Sequence, residues 1–194
     1  MNLIITPDQV TNCNKCKWVP RTDLKPRWGT TTVLNKQIMI IGESPGCGSK
    51  TEDYDEETFQ QDYEHAFRSN LVAKFLNKVL LPLHMNIDDV FMTNLVKCAH
   101  GDTRPEQRTI DNCKLYTYIQ MDMCKPKAII LLGKTPIQHF TPYTSIISNH
   151  STVYTKKYSF ICSAHPSYWT RQTFKEQHYL EKMLTESVKK VLEE

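Results

Sequence analysis

The sequence predicts an α/β fold, a three-layer α/β/α sandwich around a central four-stranded parallel sheet. Four apolar runs alternate with segments of helical period, and each run is nearly continuous rather than alternating with polar residues, as in strands buried on both faces. At 194 residues the chain is long enough for one domain with a full core, and we expect a single domain over residues 1–194. The predicted strands are Ile38–Ile41, Val90–Thr93, Ala128–Leu132 and Phe160–Cys162.

Three segments between and after these runs are predicted to be helical. One begins near Val72 and places apolar residues at helical spacing as far as Leu80. A second, over about residues 105–123, opens with Pro-Glu, which favours a helix start. The last carries an apolar stripe over residues 180–192. Because ligands bind beyond the carboxyl ends of the strands in such folds, the residues that follow the strands should carry the chemistry.

Composition is that of a globular protein, with 40% hydrophobic and 23% charged residues and a net charge of +3. No apolar run approaches the roughly 20 residues of a membrane span, and the N-terminus lacks the features of a secretion signal. We therefore expect an intracellular protein (cytoplasmic, or nuclear or in host cytoplasm) with no membrane partner, and a monomer. Basic residues cluster between Lys15 and Arg27, which suits a phosphate backbone, although an unevenly charged solvated surface explains them equally well.

Polar residues of distinctive chemistry follow three of the four predicted strands. The first strand leads into Gly42-Glu43-Ser44-Pro45-Gly46, a tight loop whose backbone can approach a ligand closely. Asn94 follows the second strand, and His165-Pro166-Ser167 follows the fourth. Each signal alone also fits a structural turn or a structural histidine. Together they favour one active site in the crevice at the ends of the strands.

Four of the seven cysteines form a second group. Cys13-x-x-Cys16 precedes the first strand, Cys98 follows the second, and Cys113 comes later in the chain. Such a set can close a four-thiolate site for zinc or for a [4Fe–4S] cluster, and four buried thiols without metal are the third reading. Cys47, Cys124 and Cys162 are interpreted as cysteines that take no part in this site.

These motifs, in this order, resemble uracil-DNA glycosylase family 4 over about residues 10–175. The motifs are Cys-x-x-Cys, Gly-Glu-Ser-Pro-Gly, Thr93–Cys98, Cys113, Pro126–Gly133 and His165–Tyr168. The resemblance implies a [4Fe–4S] cluster on Cys13, Cys16, Cys98 and Cys113, with an N-terminal cluster-ligating stretch at residues 10–30. It also implies a monofunctional hydrolase of base excision repair. The enzyme would flip uracil out of DNA, cleave its N-glycosidic bond and leave an abasic site.

The same resemblance implies roles for individual residues. Glu43 would orient or activate the attacking water, and His165 would hydrogen-bond the uracil carbonyl oxygen as the base leaves. Asn94 would read the Watson–Crick edge of the base, and Phe67 would stack on it. Gly42 and Ser44 would complete the base-recognition site. DNA contacts are expected from Pro45, Gly46, Ser167, Tyr168, Trp169 and Arg171, with Trp169 filling the vacated stack.

Three departures from the family pattern leave the substrate open. Residues 65–69 lack the glycines and the proline of the usual Gly-x-Pro-Phe-x-Gly segment. The Glu52-Asp53 pair comes late, which implies an insertion, and residues 99–105 differ from the usual proline-rich loop. One alternative is therefore a glycosylase for another modified or damaged pyrimidine, and another is an inactive iron–sulfur DNA-binding module. A relative in this superfamily traps the sugar covalently with a histidine, a role that His100 could take.

Overall fold

The computed structural model describes residues 4–31, 34–46, 57, 71–101 and 103–194. Its helices are α1 (Pro7–Thr11), α2 (Leu71–Leu80), α3 (Gln107–Cys124), α4 (Lys134–Phe140), α5 (Pro166–Trp169) and α6 (Phe174–Glu193). Its strands are β1 (Ile38–Gly42), β2 (Val90–Asn94), β3 (Ala128–Leu132), β4 (Val153–Thr155) and β5 (Ser159–Ser163). Two single-turn 3₁₀ helices, Leu81–Leu83 and Ile87–Asp89, lead from α2 into β2.

The strands form one sheet in the order β2-β1-β3-β5-β4. Strands β2, β1, β3 and β5 are mutually parallel, as predicted, whereas β4 runs antiparallel to β5. The fold class is thus confirmed, with a fifth strand added at one edge. This strand is not among the predicted ones because its three residues are only half-buried or exposed and make no continuous apolar run.

Helices cover both faces of the sheet and bury alternate residues of each strand. Met39 and Ile41 of β1 belong to the core on the side of α3 and α4. Ile38 and Ile40 of the same strand belong to the core on the side of α2 and α6. All four side chains are fully buried, which explains why the strand sequences are apolar at every position.

The N-terminal stretch runs along the free edge of β2. Thr30 donates its main-chain N–H to the carbonyl of Met92 (2.9 Å), and its hydroxyl accepts from the N–H of Met92 (3.1 Å). Arg27 donates its main-chain N–H to the carbonyl of Lys97 (2.8 Å). Trp28 is buried beside Phe91. The stretch therefore protects an edge strand and attaches to the segment that follows it.

The chain connections diverge between β1 and β3. After β1 the chain passes through α2 to β2 on one side of β1, whereas β3 pairs with β1 on the other side. This divergence is the topological switch point at which open α/β sheets form their ligand crevice. None of the helices in the described ranges combines the length and the apolarity that a bilayer span requires.

Candidate active site

A pocket of about 560 Å³ lies at the carboxyl ends of the parallel strands, a volume suited to a small ligand. It brings together predicted residues from three separate loops. Those that line it are Gly42, Glu43, Ser44, Pro45, Gly46, Asn94, His165, Ser167, Tyr168 and Arg171. Residues that follow different strands in the sequence therefore line one crevice in the folded protein. Phe67 lies outside the described residues.

Glu43 is held in the loop that follows β1. The carbonyls of Gly42 and Glu43 accept hydrogen bonds from the N–H groups of Leu95 (2.8 Å) and Val96 (2.9 Å), so the loop is tied to the end of β2. The hydroxyl of Thr135, in the first turn of α4, donates to Glu43 Oε2. The carboxylate thus lies between the ends of β1 and β3, at the switch point.

Asn94 ends β2 directly opposite Gly42 of β1 and is buried. A Cβ atom at residue 42 would lie 2.4 Å from Asn94 Oδ1, so only glycine leaves room for the amide in its present position. The Asn94 carbonyl accepts from Lys97 Nζ (2.6 Å) and from Thr117 Oγ1 (3.1 Å). Asn94 is therefore fixed at its main chain and closely packed at its side chain.

Lys97 is a buried cation beneath Asn94, with 1% of its surface exposed. Besides the Asn94 carbonyl, its ammonium donates to Thr93 Oγ1 (2.8 Å) and to Gln120 Oε1 (2.7 Å). Burial lowers the pKa of Lys97 to about 7, and the charge of Cys113 opposes this shift. Because a buried charge is costly without a counter-charge, this lysine favours a negatively charged group nearby.

The contacts of His165 fix which ring nitrogen carries the proton. Its Nδ1 accepts a hydrogen bond from the main-chain N–H of Ser167 (3.2 Å) and lies 2.8 Å from Ser167 Oγ. The neutral ring therefore carries its proton on Nε2. Part of the side chain is accessible from the pocket, yet the surrounding protein still lowers the pKa of His165 by desolvation. Glu43 opposes that shift, and Arg171 adds to it. The site thus favours an uncharged Nε2–H donor.

His150 supports the strand end that leads to His165. Its Nε2 donates to the carbonyl of Leu180 in α6 (2.9 Å), and its Nδ1 accepts from the N–H of Ala164 (3.1 Å). Both ring nitrogens are used by the neutral form, and burial lowers the pKa of His150. A protonated ring would lose the bond to Ala164, directly beside His165.

Trp169 does not line the pocket, unlike its neighbours Tyr168 and Arg171. Its side chain is buried against Phe75 of α2, with ring centroids 5.7 Å apart, and its Nε1–H donates to Glu181 (3.0 Å). Residues 166–169 form a helical turn, which directs residue 169 back toward the core. This burial argues against the predicted insertion of Trp169 into DNA.

Several pocket residues are absent from the prediction. Arg104 and Lys134 add positive charge to the lining, and Ile146 and Ile147 add apolar surface. The sequence indicates Lys134 only through its position, two residues after the end of β3. The two isoleucines belong to the connection before β4, the strand that the sequence does not reveal.

His100 is buried in the segment that follows β2. Burial lowers its pKa, and the nearby charges of Glu43 and Glu106 oppose the shift. Its Nε2 has no hydrogen-bond partner among the described residues. The covalent role considered for His100 stays a prediction.

The four predicted cluster ligands interact with one another. Burial, and then the charges of Cys113, Cys16 and Cys13, raise the pKa of Cys98 to about 12. Cys113 Sγ accepts a hydrogen bond from the main-chain N–H of Lys97 (3.1 Å). Within the ranges that the structure describes, no three Cys, His, Asp or Glu side chains are grouped so that they could hold one metal ion.

The donor set, four cysteine thiols, is of the type that both zinc and a [4Fe–4S] cluster accept. The set therefore fits an iron–sulfur cluster by the chemistry of its ligands. Lys97 lies beside it, because its main-chain N–H donates to Cys113 Sγ.

Residues 28–188 match the family model described as the uracil DNA glycosylase superfamily. The chain is 34% identical over 144 residues to the type-4 uracil-DNA glycosylase of Saccharolobus solfataricus, covering 73% of this chain and 58% of that protein. It is 33% identical over 138 residues to the type-4 enzyme of Sulfurisphaera tokodaii, covering 70% and 54%. The type-5 uracil-DNA glycosylase of Pyrobaculum aerophilum is 25% identical over 115 residues, covering 56% and 48%. The matched regions thus span little more than half the length of the first two relatives and just under half of the third.

Proposed function

Because the chain belongs to the uracil DNA glycosylase superfamily, we propose that it removes uracil from DNA. It hydrolyses the N-glycosidic bond of the flipped nucleotide and leaves an abasic site. The observation that carries this proposal is the convergence of Glu43, Asn94 and His165, from three strand ends, on one pocket of suitable size. We also propose that the protein acts as a monofunctional, monomeric enzyme on DNA inside the cell.

Glu43 and His165 meet the two electrostatic needs of glycosidic cleavage. As the bond breaks, positive charge develops on the sugar and negative charge on the departing base. The Nε2–H of His165 donates to the base oxygen on which the charge builds, and the neutral ring does so without a proton transfer. The Glu43 carboxylate orients water toward the sugar and stabilises its positive charge.

Asn94 supplies the pairing pattern that selects uracil. A side-chain amide carries both a donor and an acceptor, which match the O4 and N3–H groups on the Watson–Crick edge of uracil. Cytosine presents a donor where uracil presents an acceptor, so the same amide orientation rejects it. Gly42 and Ser44 border this part of the pocket, and Phe67 is proposed as the platform on which the flipped base stacks.

The rim of the pocket is suited to the DNA backbone. Arg104, Lys134 and Arg171 line it and can contact phosphates. Tyr168 and Ser167 at the mouth, with Pro45 and Gly46 of the opposite loop, are proposed to hold the strand on either side of the flipped nucleotide.

We assign the cluster ligands to Cys13, Cys16, Cys98 and Cys113. When bound, a [4Fe–4S] cluster would serve here as a structural centre that joins the N-terminal stretch to the segment after β2 and to α3. The assignment is supported by the effect of the other three thiols on Cys98, whose pKa they help to raise, and by the hydrogen bond from the main-chain N–H of Lys97 to Cys113 Sγ.

The test is incubation of anaerobically purified protein with an end-labelled duplex that contains one uracil, followed by alkali cleavage. Strand cleavage at the uracil that His165→Ala abolishes is the expected result. DNA binding without an abasic product would indicate an inactive binding module. Because residues 65–69 depart from the family pattern, the same assay is run on duplexes with modified pyrimidines. Cleavage at one of these bases and not at uracil would mean that this base, rather than uracil, is the substrate.

A further inference from the structure

We propose that Thr135 positions the Glu43 carboxylate for the water that attacks the sugar. The inference rests on the proposed function, because the effect of Thr135 is exerted through Glu43. Thr135 is thus a positioning residue for the reaction, on an element that the motifs of the sequence do not mark.

The contact between Thr135 and Glu43 bridges the switch point of the sheet. Glu43 follows β1, and Thr135 is the second residue of α4, which follows β3. The two strands are neighbours, but their connections leave in different directions. The hydroxyl of Thr135 donates to Glu43 Oε2 across this gap and joins the two loops beside the pocket, which Glu43 and Lys134 line.

The turn that carries Thr135 is itself firmly placed. Gly133 adopts a positive φ of 88° and donates its N–H to the carbonyl of Ser163 at the end of β5 (2.9 Å). A Cβ atom at residue 133 would lie 3.4 Å from the Cβ of His165, so this turn packs closely against His165. Pro136, which follows Thr135, is buried. One rigid turn therefore contacts His165 and, through Thr135, holds Glu43.

A bond of this kind matters because the main-chain contacts of Glu43 do not fix its side chain. The N–H of Val96 holds the Glu43 carbonyl, which leaves the side-chain torsions free to rotate. A hydroxyl that donates to an ionised carboxylate makes a strong, directional bond, and it leaves the second oxygen, Oε1, for the water. Because misplacing a catalytic group by about 1 Å can cost about 100-fold in rate, this restraint is expected to affect turnover directly.

The first measurement compares two substitutions of Thr135. Valine keeps the shape of threonine and removes the hydroxyl, whereas serine keeps the hydroxyl. We expect Thr135→Val to lower the single-turnover rate on a uracil duplex by about 10- to 100-fold, with an unchanged dissociation constant for DNA. Thr135→Ser should stay close to the wild-type rate.

The matched control is Thr141→Val, at the other end of the same helix. The Thr141 hydroxyl donates to the carbonyl of Ile137 (2.8 Å), away from the pocket. This variant should lower the unfolding temperature and leave the rate unchanged. An equal fall in rate for Thr141→Val and Thr135→Val would mean that loss of helix stability, rather than loss of the Glu43 contact, explains the effect, and would overturn the inference.

The deciding measurement is a double-mutant cycle with Glu43→Ala. If Thr135 acts through Glu43, Thr135→Val has no further effect once the carboxylate is gone. A full additional loss in the Glu43→Ala background, or failure of serine to retain the rate, would overturn the inference. If the wild type cleaves uracil and Thr135→Val cleaves it equally fast, only the inference fails. If the wild type does not cleave uracil, the proposed function fails and the inference falls with it.

Discussion

Replacing Gly42 with alanine should impair recognition of the base while leaving the fold intact. Gly42 lies opposite Asn94 in the parallel pair of β1 and β2. A Cβ atom at residue 42 would be 2.4 Å from Asn94 Oδ1, whereas ordinary contacts begin at 3.4 Å. The Asn94 amide must therefore move by about 1 Å. The backbone of Gly42 does not have a positive φ, so alanine fits the main chain without strain.

The size of the effect follows from what this amide contributes. A two-point hydrogen-bonded match between a side-chain amide and a base edge is worth about 1–3 kcal/mol of discrimination. A shift of about 1 Å removes most of that match, since hydrogen bonds weaken steeply outside their normal distance and angle. We therefore expect Gly42→Ala to lower kcat/KM on a uracil duplex by about 5- to 150-fold. The unfolding temperature should change little, because the clash involves the end of one side chain.

Gly46→Ala adds the same methyl group to the same loop without touching Asn94, since a Cβ atom at residue 46 meets nothing within 4 Å. Because Gly46 is proposed to contact DNA, this variant can change kcat/KM by itself, but any change should be the same with and without the Asn94 amide. The assay measures kcat/KM and thermal unfolding for both variants, in the wild type and in an Asn94→Ala background. A loss for Gly42→Ala that is as large without the Asn94 amide as with it would contradict the predicted clash.

Three further predictions concern the cysteines, the pH dependence of stability and the rim of the pocket. Cys13→Ala should lower the iron and sulfide content and the unfolding temperature. Cys124→Ala, which changes a buried thiol outside the proposed cluster ligands, should leave the iron content unchanged. Equal iron content in the two variants would mean that Cys13 is not a ligand. Because burial lowers the pKa of His150, the unfolded state takes up a proton first as the pH falls below about 6.5, so stability is lost on acidification. In His150→Gln, followed by chemical unfolding from pH 8 to 5, the pH dependence should be weaker, and an unchanged slope would contradict this account. Arg171→Ala should weaken DNA binding and reduce its dependence on salt, and an unchanged salt slope would show that Arg171 does not contact a phosphate.

The elements that could be predicted are those whose sequence is dictated by burial on both sides. The strands that contain Ile40 and Ile130 are apolar at every position because helices cover both faces of the sheet. The edge strand around Tyr154 pairs with one neighbour and is half-exposed, so its sequence carries no such pattern. The attachment of residues 27–31 to β2 and the segment after it depends on hydrogen bonds to the main chain of Met92 and Lys97 and on the packing of Trp28. These contacts join distant parts of the sequence, so no local pattern reports them.

The residues of the pocket likewise fall into those that the sequence could predict and those that it could not. Glu43, Asn94 and His165 could be found because a strand end fixes both their place in the sequence and their place in the fold. Thr135 could not, since its contact depends on two loops that are distant in sequence and meet only when β1 and β3 pair. The burial of Trp169 against Phe75 could not be predicted from the sequence, because it depends on a single helical turn after His165.

Lys97 links the cysteine site to the pocket. Its main-chain N–H donates to Cys113 Sγ, and its ammonium holds the carbonyl of Asn94, so one residue joins the cysteine site to the residue that reads the base. A buried ammonium is tolerated only while its acceptors and a compensating negative charge are in place together. A change at Cys113 would therefore act first on Lys97 and, through its ammonium, on the carbonyl of Asn94.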